Sequence, residues 1–555
     1  MSGGRALVVA FLLVAGSTAD AEGELFVRSK VEFPGKIEDH LLADVDGDGR
    51  LDVLVVHAAA GDRYDYRLAV CRQQVEKKFD GCEILDLPDD VRAFDVGNVD
   101  PAPGAEFVAV TASGVFWSAF EKERLGSRHR LAEVPSVFAG TDPDIPRPLD
   151  VLFDLDGDGR DELLLPSQAG PVWVKPDGKR QLFESPAVVL YRLANRSADV
   201  NAALRSGFQS RVTSEMNTPD VHVFDWNGDG RLDVVTQLDN ILRIFLQDET
   251  GGLPGQPSRT LERSTLAENE LDSSFTGEVT SFAQLDLDGQ ADLILTKWGS
   301  SEERTRMDRA IFFSRPDGSY PDVPDQLVRS ESVTPDFDLV DLDGNGTRDL
   351  VVPFFHFAPS QAVKVITQNA LRWQLRIFLL GADGRYSQDE GKKFARIDHR
   401  VVLDYKLDIL KLLFGKQARP TGRIAPLLDF GADFDGDGYA DLAADDGGDK
   451  LRIYWGNAEA RYSSSPDQVV PFESTLAYDL VDADGDGLTD LFAYHGTRPV
   501  TEQIGGHGFH AVKRRRTERE RARRAEEARR ARKQEEEVPH ERVRLEILMS
   551  VGRAR

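Results

Sequence analysis

Past its N-terminus the 555-residue chain contains no apolar run approaching the roughly 20 residues that a bilayer crossing requires, so no spanning helix is expected. It has two cysteines, Cys71 and Cys82, without the CxxC spacing or the nearby histidine that a redox or metal pair would want. A nucleophile elbow, a phosphate-cradling glycine loop and a zinc-protease motif are all missing, which disfavours the common hydrolases and kinases. Positive charge is scarce too: 68 Lys and Arg face 95 Asp and Glu, for a formal net charge of −27. That balance argues against nucleic acid as a partner and against adhesion of the body of the protein to anionic membranes.

The first 21 residues read as a cleaved secretory signal, with Arg5, an apolar core from Ala6 to Ala15 and a small-residue Ala19-Asp20-Ala21 ending. The expected location is secreted, periplasmic or cell-surface. In an exported chain, two cysteines flanking the hairpin-like stretch RQQVEKKFDG predict a local Cys71–Cys82 disulfide.

One pattern recurs along the whole chain. It opens as DVDGDGRLD at Asp44 and returns as DLDGDGRDE at Asp154, DWNGDGRLD at Asp225, DLDGNGTRD at Asp341, DFDGDGYAD at Asp433 and DADGDGLTD at Asp482. A further copy, QLDLDGQAD, begins with Gln284, and the spacing points to an eighth unit near Asp95 that has lost the loop chemistry. Each unit reads as a strand entering the loop, a strand leaving it and a hairpin beyond, such as GVFWSAF, AIFFSRPDGSY or LRIYWGNAEARY. Repeating units of this size predict an all-β fold, a single β-propeller of eight blades with seven as the alternative, over residues 22–555. ELFVRSKVEF before the first unit and RVRLEILMSV after the last are expected to pair and close the ring.

The loops are built for a hard cation. Positions one, three, five and nine carry oxygen side chains, position six is a glycine that permits a sharp turn, and position seven offers a backbone carbonyl. The expected ligands are Asp44, Asp46, Asp48, Arg50 and Asp52; Asp154, Asp156, Asp158, Arg160 and Glu162; and Asp225, Asn227, Asp229, Arg231 and Asp233. They continue with Asp286, Asp288 and Asp292; Asp341, Asp343, Asn345, Thr347 and Asp349; Asp433, Asp435, Asp437, Tyr439 and Asp441; and Asp482, Asp484, Asp486, Leu488 and Asp490. About six or seven structural Ca2+ ions are expected, and seven would bring the charge to about −13. An EF-hand is excluded because position twelve is Val55, Leu165, Thr236 or Val352, in strand-like sequence, where that motif needs a bidentate Glu and flanking helices.

On the DxDxDGxx[DE] motif the chain resembles the FG-GAP/VCBS-repeat family, whose calcium-bearing blades also build the integrin alpha-subunit head. The resemblance covers nearly the whole chain, with departures at Gln284 and at the loop after Asp95. It implies a propeller that binds or scaffolds, with structural calcium.

Outside the loops, His57, His495 and Asp446 lie five residues beyond position nine of their units, at the strand end remote from the loops. They form a weak candidate pocket for a second metal or for acid/base chemistry. Residues 358–426 hold an inserted helical and hairpin segment, with Leu403, Leu407, Leu410 and Leu413 near helical spacing, and residues 513–537 favour a charged solvated helix. The expected protein is an exported, monomeric, calcium-stabilised module for a glycan or an extracellular or envelope protein. The alternative is a lyase-like enzyme acting on polysaccharide through a pocket on the face away from the calcium loops.

Overall fold

The computed structural model describes residues 25–33, 36–58, 66–79, 81–134, 137–140, 146–195, 210–263, 277–300, 305–330, 337–354, 370–387, 399–406, 427–445, 450–472, 477–495 and 543–551. Among the described residues its strands assemble into eight sheets of four or five strands, one per repeat, accompanied by four two-stranded hairpins, the longest pairing Val188–Asn195 with Ser210–Asn217. Blade 1 consists of Lys36–Ala43, Asp52–Ala58, Tyr66–Cys71 and Glu83–Asp86, in that order across the sheet. Blades 3 to 7 repeat the order from first strands at Leu152–Phe153, Asp220–Phe224, Gly277–Ala283, Asp338–Val340 and Leu427–Ala432. Blade 2, from Val91–Gly97, adds a fifth, parallel strand, Arg147–Pro148, beside its first.

Blade 8 closes the ring as the sequence predicts. Ala477–Val481 and Asp490–His495 are followed by Val543–Ser550, and the N-terminal strand Phe26–Phe33 completes the sheet on its outer edge, paired from Phe26 with Ser550 to Phe33 with Val543. Chain ends in one blade turn an open stack into a ring, leaving no blade to face solvent on its broad side.

The packing follows from the two-residue period of a strand. Along Asp52–Ala58, Val53 and Val55 point towards blade 8 and join Phe492, Leu545 and Ile547, while Leu54 and Val56 point towards blade 2 and join Phe94, Phe107 and Ala109. Eight such apolar clusters lie between successive blades, the last uniting Phe26, Leu491 and Leu548 of blade 8 with Ala432 and Leu451 of blade 7. Both faces of the middle strands are therefore buried, which explains their uninterrupted apolar runs. First strands face the axis. Those of blades 3 to 6 line a common cavity, and His40 of blade 1 meets Asp479 of blade 8 across the ring closure.

The Cys71–Cys82 disulfide forms, and between its cysteines Gln73–Gln74 pairs with Lys78–Phe79 as a small hairpin. The helical expectation for the insert fails at its first landmark: Leu403 lies in the strand His399–Lys406, paired with Trp373, and serves as part of the outer edge of blade 6. Backbone pairing to Ala370–Phe378 outweighs the leucine spacing there. Among the described residues the one helical segment is a short 3-10 turn at Val137–Gly140, and no helix is long and apolar enough to cross a membrane. Leu407, Leu410, Leu413, the charged stretch 513–537 and residues 1–21 lie outside the described residues.

Candidate metal loops and binding pockets

Every loop that carries the full motif is organised by its first carboxylate. Asp433 accepts from the backbone N–H groups of Gly436, Asp437 and Gly438 at 2.7, 3.2 and 2.9 Å, and Asp44 and Asp225 repeat the pattern. Amides can converge on one side chain because positions four and six are both left-handed glycines, as at Gly436 (φ 73°) and Gly438 (φ 86°). The motif by itself points only to the second of these glycines. Position seven then donates its N–H to the carboxylate or amide at position five, from Arg50 to Asp48 through Leu488 to Asp486.

Position nine ties the loop to the sheet. Asp441 is buried; one oxygen accepts from Phe434 N–H (2.9 Å) and the other from Gly456 N–H (2.8 Å), beyond the third strand. Asp52, Asp233, Asp292, Asp349 and Asp490 make the same double contact. Burial pushes these carboxyls up, to about 6 for Asp52 and Asp233 and about 7 for Asp292, Asp349, Asp441 and Asp490, although their backbone donors pull down.

Five of the loops bring three carboxylates together with ligand atoms within 4.8 Å of one another. They are Asp44, Asp46 and Asp48; Asp154, Asp156 and Glu162; Asp341, Asp343 and Asp349; Asp433, Asp435 and Asp441; and Asp482, Asp484 and Asp490. Asp154 Oδ1 and Asp484 Oδ1 are buried and lack a hydrogen-bond partner among the described residues. Converging carboxylates with unused buried oxygens fit a hard divalent cation, which would take these oxygens and tie the first two strands of a blade together.

Blades 4 and 5 gather no such acidic triplet among the described residues. In blade 4, Asp229 accepts from the side chains of Asn227 and Arg231. In blade 5, position four is Leu287 rather than glycine, and Gln284 donates its amide to the carbonyls of Asp225 (2.9 Å) and Gly289 (2.7 Å). The position-one side chain has thus changed from an acceptor inside the loop to a donor that includes a neighbouring blade.

The eighth loop starts three residues later than its spacing suggests. In every other loop the position-two N–H reaches the carboxylate seven residues on; in blade 2 that bond runs from Val99 to Glu106 (2.9 Å). Position one is therefore Asn98, position three Asp100, position five Ala102 and position nine Glu106. Asp95 belongs to the strand before the loop, accepts from Val151 (2.8 Å) and Leu152 (3.0 Å) of blade 3, and is pushed to about 7 by burial. Neighbouring loops are also joined by their backbones: position eight donates to the preceding loop in Leu51 to Ala483, Ala105 to Asp44, Asp161 to Asn98, Ala291 to Trp226, Arg348 to Leu285 and Thr489 to Asp433.

A tyrosine beyond the third strand strengthens three loops. Tyr320, Tyr386 and Tyr462 donate their hydroxyls to the position-eight carbonyls of Ala291, Arg348 and Ala440 at 2.5, 2.7 and 2.7 Å. The shared sequence signal is the Tyr ending PDGSY, ADGRY and AEARY.

Two cavities open at the loop end of the molecule. One, of about 610 Å³, occupies the axis beside blades 3 to 6, with Phe153, Phe224 and Phe282 on its walls and Asp150, His222 and Arg348 as polar groups. The other, of about 370 Å³, lies against the altered loop of blade 2. Its walls include Trp117, Phe120 and His129, with Asp100, Glu121 and Ser127 as polar groups, and the Trp117 and His129 rings stack at 4.4 Å. The weak catalytic candidates are not assembled among the described residues. His57 is 1% exposed in the second strand of blade 1, the side chain of His495 is not described, and Asp446 lies outside the described residues.

No protein-family model matches the chain, and no curated protein matches it. Among solved structures it is similar to a lectin from Agrocybe aegerita that recognises non-reducing terminal N-acetylglucosamine, at 13% identity and a TM-score of 0.37, over 80% of this chain and 93% of the lectin. It is also similar to the V. cholerae biofilm matrix protein Bap1, at 12% identity and a TM-score of 0.30, over 96% of this chain and 92% of that one.

Proposed function

We propose that this chain is an exported, calcium-stabilised binding propeller of the FG-GAP/VCBS type, and that it holds a glycan in the pocket of blade 2. The observation that carries the reading is the pocket's location. Where the repeat gives up ligand positions one and five, a concavity of about 370 Å³ stands beside the altered loop, walled by Trp117, Phe120 and His129. Its size falls in the range of roughly 300–1,000 Å³ usual for small-ligand sites. An indole offers an apolar face to the C–H face of a pyranose, while Asp100, Glu121 and Ser127 can exchange hydrogen bonds with its hydroxyls.

Calcium has no chemical step in this reading. Bound in the loops it fixes the strand ends, and the chain's own residues bind the sugar and exclude water from its apolar face. The test is a glycan array on calcium-loaded protein, followed by titration calorimetry with the best hit. Trp117→Ala should weaken binding at least roughly tenfold, the loss expected for an aromatic anchor, when measured below the variant's own melting temperature, which falls because Trp117 also packs against the cluster between blades 2 and 3. A blank array, or equal affinity in Trp117→Ala, would overturn the assignment and turn the search to protein partners.

A further inference from the structure

Two of the five acidic loops already hold a lysine ammonium, supplied by the chain. Lys77 sits at the tip of the hairpin enclosed by the Cys71–Cys82 disulfide, and it reaches out of blade 1 into the loop of blade 8. Its ammonium contacts Asp486 Oδ2 at 2.6 Å, Asp484 Oδ2 at 2.8 Å and the carbonyl oxygen of Ser550 at 2.9 Å. All three donors of the ammonium are used, on ligand positions three and five and on the carbonyl of the last residue of the third strand.

Blade 3 shows a second version. Lys175 Nζ contacts Asp156 Oδ2 at 2.7 Å, stands 3.8 Å from Glu162 Oε1 and lies over the Trp173 ring at 4.5 Å. The strand register explains the need. The residue whose N–H holds the position-nine carboxylate in blade 4 is Gln247, and its counterpart in blade 3 is Pro176, which has no N–H to give. In blade 6 no lysine contacts the acidic triplet among the described residues. In blade 1 the cation on the triplet is a guanidinium from within the loop, Arg50 on Asp48, while that of Arg72 stands 3.8 Å from Asp46 and is engaged with Glu83 at 2.9 Å.

We propose that Lys77 is a built-in counter-ion that competes with calcium for the loop of blade 8 and keeps the ring latched when calcium is absent. The two cations share the same carboxylates: an ion that takes the unused Asp484 Oδ1 and recruits Asp486 meets the ammonium held on the Oδ2 atoms of both, so each weakens the other's binding. The setting suits a latch. Blade 8 is where the chain ends meet, and the same hairpin buries Phe79 against Phe492 (6.1 Å between centroids) and donates its Phe79 N–H to Ser29 Oγ of the N-terminal strand. The disulfide fixes the hairpin base, so the ammonium is delivered at little cost in chain entropy.

The test uses the full mature chain, with Lys77→Met to keep the side-chain stem and Lys77→Arg to keep the charge. Calcium is titrated into chelator-stripped protein by calorimetry, and melting is followed with and without calcium. Lys77→Met should tighten the weakest calcium step by roughly tenfold or more, because a positive charge has left the site, and should lower the melting temperature of the calcium-free protein alone. Lys77→Arg should leave the calcium-free melt near that of the parent. Unchanged or weaker calcium binding in Lys77→Met would overturn the competition, as would a variant that fails to fold at saturating calcium. An unchanged calcium-free melt would overturn the latch.

Discussion

Blades 2 and 7 have the same strand order around their loops, and each holds its position-nine carboxylate with a position-two N–H, yet only blade 7 gathers a carboxylate triplet that could hold an ion. In blade 7, Asp433, Asp435 and Asp441 converge and two left-handed glycines turn the backbone amides inward. In blade 2, Asn98, Ala102 and Pro103 replace the first carboxylate, the third and the glycine, and a pocket stands beside them. The scaffold bond survives and the metal chemistry does not. Position nine thus serves the sheet in both blades and also joins the carboxylate triplet in blade 7, whereas position one is a carboxylate only in blade 7, so a blade can lose the acidic triplet without losing the scaffold bond.

The largest effect expected from this contrast is that of chelation. Each loop occupied at a hundredfold excess over its Kd adds about 2.7 kcal/mol, so stripping calcium should lower the melting temperature sharply; equal melts with and without chelator would break the distinction between ion-built and ion-free blades. Next come single substitutions. Asp433→Ala removes an acceptor of three backbone N–H groups together with a metal ligand, and should cost about 2–4 kcal/mol in calcium. Asp100→Ala, at position three of blade 2, loses contact with Ala102 N–H and should cost within about 0.5–1 kcal/mol by chemical denaturation.

The pH response should also divide the molecule. Carboxyls whose folded pKa is raised stabilise the fold fully below their unfolded pKa, near 4, and lose that contribution as pH climbs through about 6 to 7. Calcium-free protein should therefore lose stability between pH 5 and 8, and calcium should remove most of that loss at position nine of the ion-built blades. No ion compensates Asp95, which burial holds at about 7 in blade 2. Asp95→Asn can still accept from Val151 and Leu152 through its amide oxygen but gives up the bond from Val96 N–H, so it should start below the parent near pH 4 and lose less stability than the parent between pH 4 and 8 with calcium present. An equal loss in variant and parent over that range would mean that Asp95 is held by its backbone donors as a carboxylate.

What was legible in the sequence was whatever is periodic. The DxDxDG frame gave the blade number, and apolar runs either side of it gave middle strands buried on two faces. Partners remote in the chain were not legible. Lys77 and Lys175 lie on hairpins and strand ends outside the motif, and only strand pairing and blade order bring them to acidic loops. The frame of blade 2 was misread because Asp95 supplies the expected acid at the expected spacing, while the bond that sets the frame, Val99 to Glu106, joins residues separated by a Pro-Ala-Pro-Gly stretch that hides the motif. The leucine period from Leu403 belonged in part to a strand for a similar reason: edge pairing within blade 6 leaves no local trace.

Blade 5 offers the finest division, because it is intermediate. It retains Asp286, Asp288 and a buried Asp292, but it begins with Gln284 and has Leu287, 73% exposed, where other loops have their first left-handed glycine. If a position-one carboxylate were sufficient, Gln284→Asp alone would create an ion site. The geometry of the complete loops says otherwise, since their first carboxylate is held by amides that only a glycine at position four lets turn inward. Gln284→Asp should therefore leave the calcium stoichiometry unchanged while losing the bonds to the Asp225 and Gly289 carbonyls, whereas Gln284→Asp with Leu287→Gly should add one ion by calorimetry. An added ion in the single variant would show that charge, not backbone conformation, decides which blades bind.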